Sequence, residues 1–393
     1  MSGRCSTVGP AGQINSECLE SRETSAVRPT ADGRRAGIEA RHANIMRSDT
    51  IQPSFSRVFD CEIMGTARLR ETFLVCIVIL CCLAPSANAA GIQLFNHGPA
   101  LSGAIWYPCQ AEPKHVDLGD QGASVDYGLV GVKDCPITGA KLPLVVFSHG
   151  TAGWFGGHHD TAAALADAGF VVAAINHSGD NGNDRSKSDD LSVFGSRPAD
   201  MVRLIDFLLQ DWKDTAIVDS ARIGLFGFSN GGYTGLALIG AAPDFARVAR
   251  GSKDDPVRFC EQLRSGETAN PPQDARVRAA VIADPPSGPF TRDNLAAIRI
   301  PVQFWRSEVG IGILDPAATA RIGRSLPGKP EIHSVPAGHF AFLAPCSPQL
   351  AAAIPRICTD APAGFDRTAF HREFNASVVR FFRDHLVLDG PAR

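Results

Sequence analysis

Gly224-Leu225-Phe226-Gly227-Phe228-Ser229-Asn230-Gly231-Gly232-Tyr233 is the stretch from which the rest of the chain is read. It contains Gly-x-Ser-x-Gly, with the apolar run Arg222–Gly227 before it and small residues from Asn230 through Leu238 after it. A strand, a tight turn and a helix in that order present a serine hydroxyl at the end of a sheet strand, the arrangement called a nucleophile elbow. Glycines two positions on either side of Ser229 let the backbone pass close to its neighbours without a Cβ clash.

A serine hydroxyl needs a base to take its proton, and the base needs a third group to orient it. In this kind of site the order along the chain is serine, acid, histidine. Gly338-His339-Phe340 follows the last apolar run, Ile332–Val335, so His339 is the expected base. His333, inside that run, is a weaker candidate. Asp284 ends the run Ala279–Ala283 and is the preferred acid, Glu308 ends the next run, Ile300–Trp305, and is the alternative, and Asp315 reads better as a helix cap before Pro316. The oxyanion requires two backbone N–H donors. These are expected from Asn230, after the nucleophile, and from Thr151 in Ser148-His149-Gly150-Thr151, with His149 buttressing that loop.

Outward from this centre, Leu142–Phe147 and Phe170–Ile175 are continuous apolar runs, the mark of strands buried on both faces. Ile92–Phe95 and Leu101–Tyr107 read as antiparallel edge strands, with Asp126–Val132 as a further strand. Asp160–Ala168, Pro198–Gln210, Ala317–Ser325 and residues 369–386 read as helices. Strands alternating with helices give an α/β fold, a mainly parallel central sheet with helices on both faces. Residues 242–276, charged and interrupted by proline, form a small insertion over the sheet, after the elbow helix.

The stretch from about Pro143 to Leu386 resembles the α/β-hydrolase superfamily. Phe147-Ser-His-Gly150, Asn176-His-Ser-Gly-Asp180, Arg197-Pro-Ala-Asp200, Gly227-Phe-Ser-Asn-Gly231 and Gly338-His-Phe-Ala-Phe-Leu-Ala-Pro-Cys346 carry the resemblance. Within the superfamily the chain is similar to bacterial secreted predicted dienelactone hydrolases, which are related to platelet-activating-factor acetylhydrolases. Many of the bacterial relatives carry an aspartate where this chain has Gly310. The acetylhydrolases resemble this chain in placing the acid after the preceding strand, at Asp284. The resemblance agrees with a serine esterase; the serine, base and oxyanion donors need no metal or cofactor, and pocket walls that read as apolar favour short-acyl or otherwise accessible, small-molecule or lipid-like esters. A non-catalytic binding protein on the same scaffold and an acyltransferase are the alternatives.

The 393-residue chain is 44% hydrophobic and 20% charged, with a formal net charge of −3. That is a globular balance, and it excludes a basic field for nucleic acid. Residues 1–63 lack apolar periodicity and read as disordered or as an upstream extension. Met64–Ala89 carries Arg68, Arg70, the apolar run Phe73–Ala84 and an Ala-x-Ala end, which is a secretory signal pattern too short for a comfortable membrane span. The expected mature catalytic domain is therefore 90–393, secreted or periplasmic, with no stable membrane span after cleavage. Of eleven cysteines, Cys109, Cys135, Cys260, Cys346 and Cys358 fall within it. The pairs nearest in sequence are Cys109–Cys135 and Cys346–Cys358, leaving Cys260 over; sequence alone does not fix the connectivity.

Further candidates have plainer readings. His158-His159-Asp160 reads as a polar helix entry rather than a metal site. Asp180–Asp184 lacks the glycine and glutamate of a calcium loop. Arg197 and Asp200 form a candidate pair bracing the loop after Ile175, and Trp154 and Phe155 stand either as pocket walls or as core.

Overall fold

The computed structural model describes residues 88–98, 101–116, 125–251, 257–311 and 314–388. All fall in one compact unit. The proposed leader, apart from its last two residues, and residues 1–63 lie outside the described residues.

Among the described residues ten strands form the sheet: β1 (Asn88–Asn96), β2 (Ser102–Gln110), β3 (Lys114–His115), β4 (Val130–Lys133), β5 (Leu142–Ser148), β6 (Val171–Ile175), β7 (Val218–Phe228), β8 (Val277–Ala283), β9 (Val302–Ser307) and β10 (Glu331–Val335). Their spatial order is β10-β9-β8-β7-β5-β6-β2-β1-β4-β3. From β6 through β10 every neighbouring pair is parallel. β2 joins β6 antiparallel, and β1 joins β2 antiparallel. The expected edge strand Leu101–Tyr107 is thus interior, because β1 and β4 continue the sheet beyond it. The strand expected over Asp126–Val132 begins later, at Val130.

Side chains alternate across a strand, so a strand buried on both faces feeds two cores. Leu144 and Val146 of β5 enter one cluster, and Val145 and Phe147 the other. Leu225 and Phe226 of β7 divide likewise, as do Ile282 and Val281 of β8. Helices α2 (Val193–Gln210) and α3 (Asn230–Leu238) cover the first face through Met201, Leu204, Ile205, Leu208 and Leu236. Helices α1 (His159–Asp167) and α10 (Arg367–Arg383) cover the second through Leu165, Phe374, Val378 and Phe382.

Helix α2 starts five residues before the expected Pro198, which lies inside it. Proline has no N–H, so the carbonyl of Phe194 loses its helical donor. The buried Tyr233 hydroxyl donates to that oxygen at 3.0 Å, so the break in the ladder is satisfied from the elbow helix. The segment 242–276 contains α4 (Phe245–Gly251) and α5 (Arg258–Arg264). Phe245 and Phe259 each pack on Phe194, with ring centroids 5.5 Å apart.

Cys109–Cys135 and Cys346–Cys358 are disulfides. Cys260, the cysteine left over in the sequence, is buried and also disulfide-bonded, so it is not an available thiol. The shorter helices are α6 (Arg292–Leu295), α7 (Pro316–Ser325), α8 (Pro348–Ala353) and α9 (Pro355–Cys358). No helix among the described residues is long and apolar enough to cross a membrane.

Candidate active site

Strand β7 ends at Phe228 and α3 begins at Asn230, leaving Ser229 alone in the turn at φ 54°. Left-handed backbone is uncommon for a side chain with a Cβ and marks a turn held in place by its surroundings. Here the Ser229 N–H donates to Ala283 O of β8 at 2.9 Å. The flanking glycines are required by contact. A Cβ on Gly227 would stand 2.2 Å from Gly231 O, and one on Gly231 would stand 1.9 Å from Ser148 O.

Asp284 follows β8 directly, at φ 46° and 1% exposure. Its own N–H donates to Trp305 O of β9. Its Oδ1 accepts from Ser307 N at 2.9 Å, and its Oδ2 accepts from Ser307 Oγ at 2.6 Å and from His339 Nδ1 at 2.7 Å. Ser307 does not stand out in the sequence. Its signal there is positional only: β9 is the parallel neighbour of β8, and its last residue reaches the same rim. With Nδ1 donating to the carboxylate, the accepting nitrogen of a neutral His339 is Nε2. The imidazole stacks on Phe228 with centroids 4.6 Å apart, beside Ser229. Among the described residues no hydrogen bond joins Ser229 Oγ to His339; such contacts are often long before substrate binds.

The other carboxylates lie elsewhere. Glu308 is 45% exposed on its side chain and stands 3.6 Å from Arg306. Asp315 caps α7 by accepting from Ala317 N and Ala318 N. At Gly310 the backbone has φ 66°, and a Cβ there would lie 2.4 Å from Leu314 O, which closes that position to an acidic side chain. Gly310 instead accepts from His339 N at 3.1 Å, holding the histidine turn. His333 stacks on Trp305 and pairs with Glu331.

The loop after β5 runs against the serine: a Cβ on Gly150 would be 3.1 Å from Ser229 Cβ. The N–H groups of Thr151 and Asn230 have no hydrogen-bond acceptor among the described residues. His149 is buried within this loop; its Nδ1 donates to Gly150 O and its Nε2 accepts from His177 N. Trp154 and Phe155 belong to the core beneath the loop, with Trp154 4.2 Å from the Tyr127 ring. Of their two readings, the structure gives core packing.

Arg197 pairs with Asp180 at 2.6 Å, rather than with Asp200 as expected, and both side chains are fully buried. Asp200 instead meets His177 Nδ1 at 2.8 Å and Arg203. His177 Nε2 in turn meets Ser148 Oγ at 2.8 Å. In the 180–184 loop Asn181 Oδ1 accepts from the backbone of Asn183 and Asp184. His158 Nδ1 faces Phe342 O, and Asp160 pairs with His371. No metal-ligand cluster occurs among the described residues.

Burial gives these histidines a measurable consequence. Desolvation, reinforced by Arg197, holds His149 and His177 well below the ordinary imidazole range, and burial pushes His158 down to about 3. Each is neutral when folded and gains a proton on unfolding below its unfolded value near 6.5. The unfolded state then binds more protons, so stability is lost as pH falls below about 6.5. His159 is lowered by burial in the same direction. Asp200, raised by burial to about 6, takes up a proton in the folded state between its ordinary value and 6, and so opposes them over that range. The histidines outweigh it, and stability is expected to fall from pH 7 to pH 5. Urea unfolding at pH 7, 6 and 5 reads it; a flat profile contradicts neutral burial of these rings.

Residues 158–252 match the prolyl oligopeptidase family. Among solved structures the chain is similar to a ferulic acid esterase from Streptomyces cinnamoneus, at 19% sequence identity and a TM-score of 0.52. The match covers 77% of this chain and 91% of that one. No curated protein matches the sequence. With a mainly parallel sheet, helices on both faces and a serine in the turn after β7, the chain has the α/β-hydrolase fold.

Proposed function

We propose that the protein is a serine hydrolase that cleaves carboxylic esters through an acyl-enzyme on Ser229. The observation carrying this reading is the His339 Nδ1–Asp284 Oδ2 hydrogen bond, placed one strand from the elbow and stacked beside it. Ser229 Oγ attacks the ester carbonyl carbon while His339 Nε2 takes its proton. The carbonyl π electrons move to oxygen, and the N–H groups of Thr151 and Asn230 receive the oxyanion. Collapse breaks the bond to the alcohol oxygen, which leaves with the proton from His339. Water, deprotonated by the same nitrogen, then attacks the acyl carbon and releases the acid and free Ser229. Every step uses the chain's own groups and water.

Short-acyl or otherwise accessible esters are the proposed substrates; the ferulic acid esterase among the structural neighbours supports ester hydrolysis in general. A secreted or periplasmic location is proposed from the leader pattern and is compatible with the Cys109–Cys135 and Cys346–Cys358 disulfides. The prolyl oligopeptidase match raises a second reading, peptide-bond cleavage, but it spans Ser229 and neither Asp284 nor His339.

The test is labelling with a fluorophosphonate, mapping of the adduct, and assay of p-nitrophenyl acetate against an N-acyl p-nitroanilide. The expected outcome is a single adduct on Ser229, loss of ester hydrolysis in step with labelling, and little anilide cleavage. A folded protein that neither labels nor turns over is the binding-protein alternative. Anilide cleavage as efficient as ester cleavage moves the reading to a peptidase.

A further inference from the structure

The oxyanion donors assigned above lie on separate segments, the loop after β5 and the start of α3. One buried side chain reaches both. Arg197, in α2, is 1% exposed. Its Nη2 donates to His149 O, two residues before Thr151. Its Nη1 donates to Asp180 Oδ2 at 2.6 Å, and Asp180 Oδ1 accepts from Ala152 N, the residue after Thr151, at 2.9 Å. Thr151 is therefore held from both sides by one ion pair. The guanidinium Nε faces Thr234 Oγ1 of α3 at 3.3 Å, and that hydroxyl donates to Asn230 O at 2.9 Å. The same planar fork thus reaches the carbonyl of Asn230, the residue that carries the second donor, through one intermediary.

We propose that Arg197 is the positioning residue of the oxyanion site, setting the spacing between the Thr151 and Asn230 N–H groups. The inference rests on the ester-hydrolase reading. A guanidinium suits this role because its donors are fixed in one plane and its charge persists when buried. A lysine ammonium supplies donors at one point and does not span His149 O, Asp180 and Thr234 together. The arrangement also explains why an ion pair is buried here at all. Removing two charges from water is costly, and partners offset the cost: each guanidinium nitrogen has one here, and Asp180 Oδ1 accepts from both Ala152 N and Ser188 Oγ. The geometry of an oxyanion site matters because donors act only when aimed at the charge formed in the transition state.

The experiment compares the native chain with Thr234→Val and Arg197→Lys. Thr234→Val keeps side-chain volume and removes the hydroxyl that joins Arg197 Nε to Asn230 O, while leaving the Arg197 contacts to His149 O and Asp180 in place, so it tests the proposal even where Arg197→Lys fails to fold. For each protein kcat, KM, fluorophosphonate labelling and inhibition by an alkyl boronic acid, which mimics the tetrahedral adduct, are measured with the thermal midpoint. The expected result is a fall in kcat of about 10-fold for Thr234→Val and about 100-fold for Arg197→Lys, the scale of a misplaced or lost oxyanion donor. KM stays within about threefold, and boronic acid affinity falls in parallel with kcat/KM. Unchanged kcat in folded Thr234→Val overturns the proposal, as does a loss of kcat with boronic acid affinity retained. Failure of the native chain to label or turn over instead defeats the ester-hydrolase reading itself, so the two failures are distinct.

Discussion

Replacing Ser229 by alanine is expected to reduce kcat for ester hydrolysis by about 10⁵–10⁶-fold, the scale seen when a triad nucleophile is removed. The substitution is clean for a structural reason. Ser229 holds φ 54°, and alanine keeps the Cβ that serine already places in that left-handed turn and adds no atom. Its N–H still donates to Ala283 O, and its carbonyl still receives Gly232 N and Tyr233 N. The elbow survives while its hydroxyl is lost. Thermal unfolding should therefore match the native chain within a few degrees while covalent labelling disappears. The measurement is single-turnover acylation by p-nitrophenyl acetate, because background solution hydrolysis masks slow steady-state rates. Acylation in the variant within 100-fold of the native rate would place the nucleophile elsewhere.

Asp284→Asn is expected to lower kcat by about 10⁴-fold with little change in KM. Ser307 N is a backbone donor fixed by β9 and points at Asp284 Oδ1. In the amide the remaining oxygen must stay opposite that donor, since an NH₂ group there would face an N–H. The NH₂ group then takes the place of Oδ2 and points at His339 Nδ1. A nitrogen facing a donor must accept, so the imidazole carries its proton on Nε2, where it cannot take one from Ser229. Ser307 Oγ adapts by rotating its hydroxyl. Glu308→Gln provides the contrast. Its side chain is half exposed beside Arg306, so activity should stay within about twofold of native. A large loss from Glu308→Gln with Asp284→Asn active would reverse the assignment of the acid.

The geometry at Asp284 shows why a sequence ranks such candidates without separating them. Both carboxylates follow apolar runs at the same sheet rim. What separates them is the neighbour each backbone meets next. Asp284 turns at φ 46° into the space between Ser307 and His339. Glu308 keeps its N–H on Val335 O and sends its side chain outward. Arg197 is a similar case. The sequence offers Asp200, three residues away, as its partner. The structure pairs it with Asp180 because Asp200 is taken by His177 and Arg203 and the guanidinium points under the loop after β5.

Pattern alone determined a good deal of this protein. Continuous apolar runs at Leu142–Phe147, Phe170–Ile175 and Ala279–Ala283 determined a sheet buried on both faces, because only such strands need apolar residues at every position. Gly-x-Ser-x-Gly between a strand and a small-residue helix determined the turn at Ser229, because the packing of Gly227 and Gly231 leaves no room for a Cβ. These are local constraints, written in consecutive residues. Tertiary structure alone decided which carboxylate meets His339, which aspartate meets Arg197, and that Ser307 and Tyr233 supply the hydrogen bonds that complete Asp284 and Phe194. Each of those choices depends on chain brought together from distant positions, where direction and burial decide between groups that the sequence presents as equivalent.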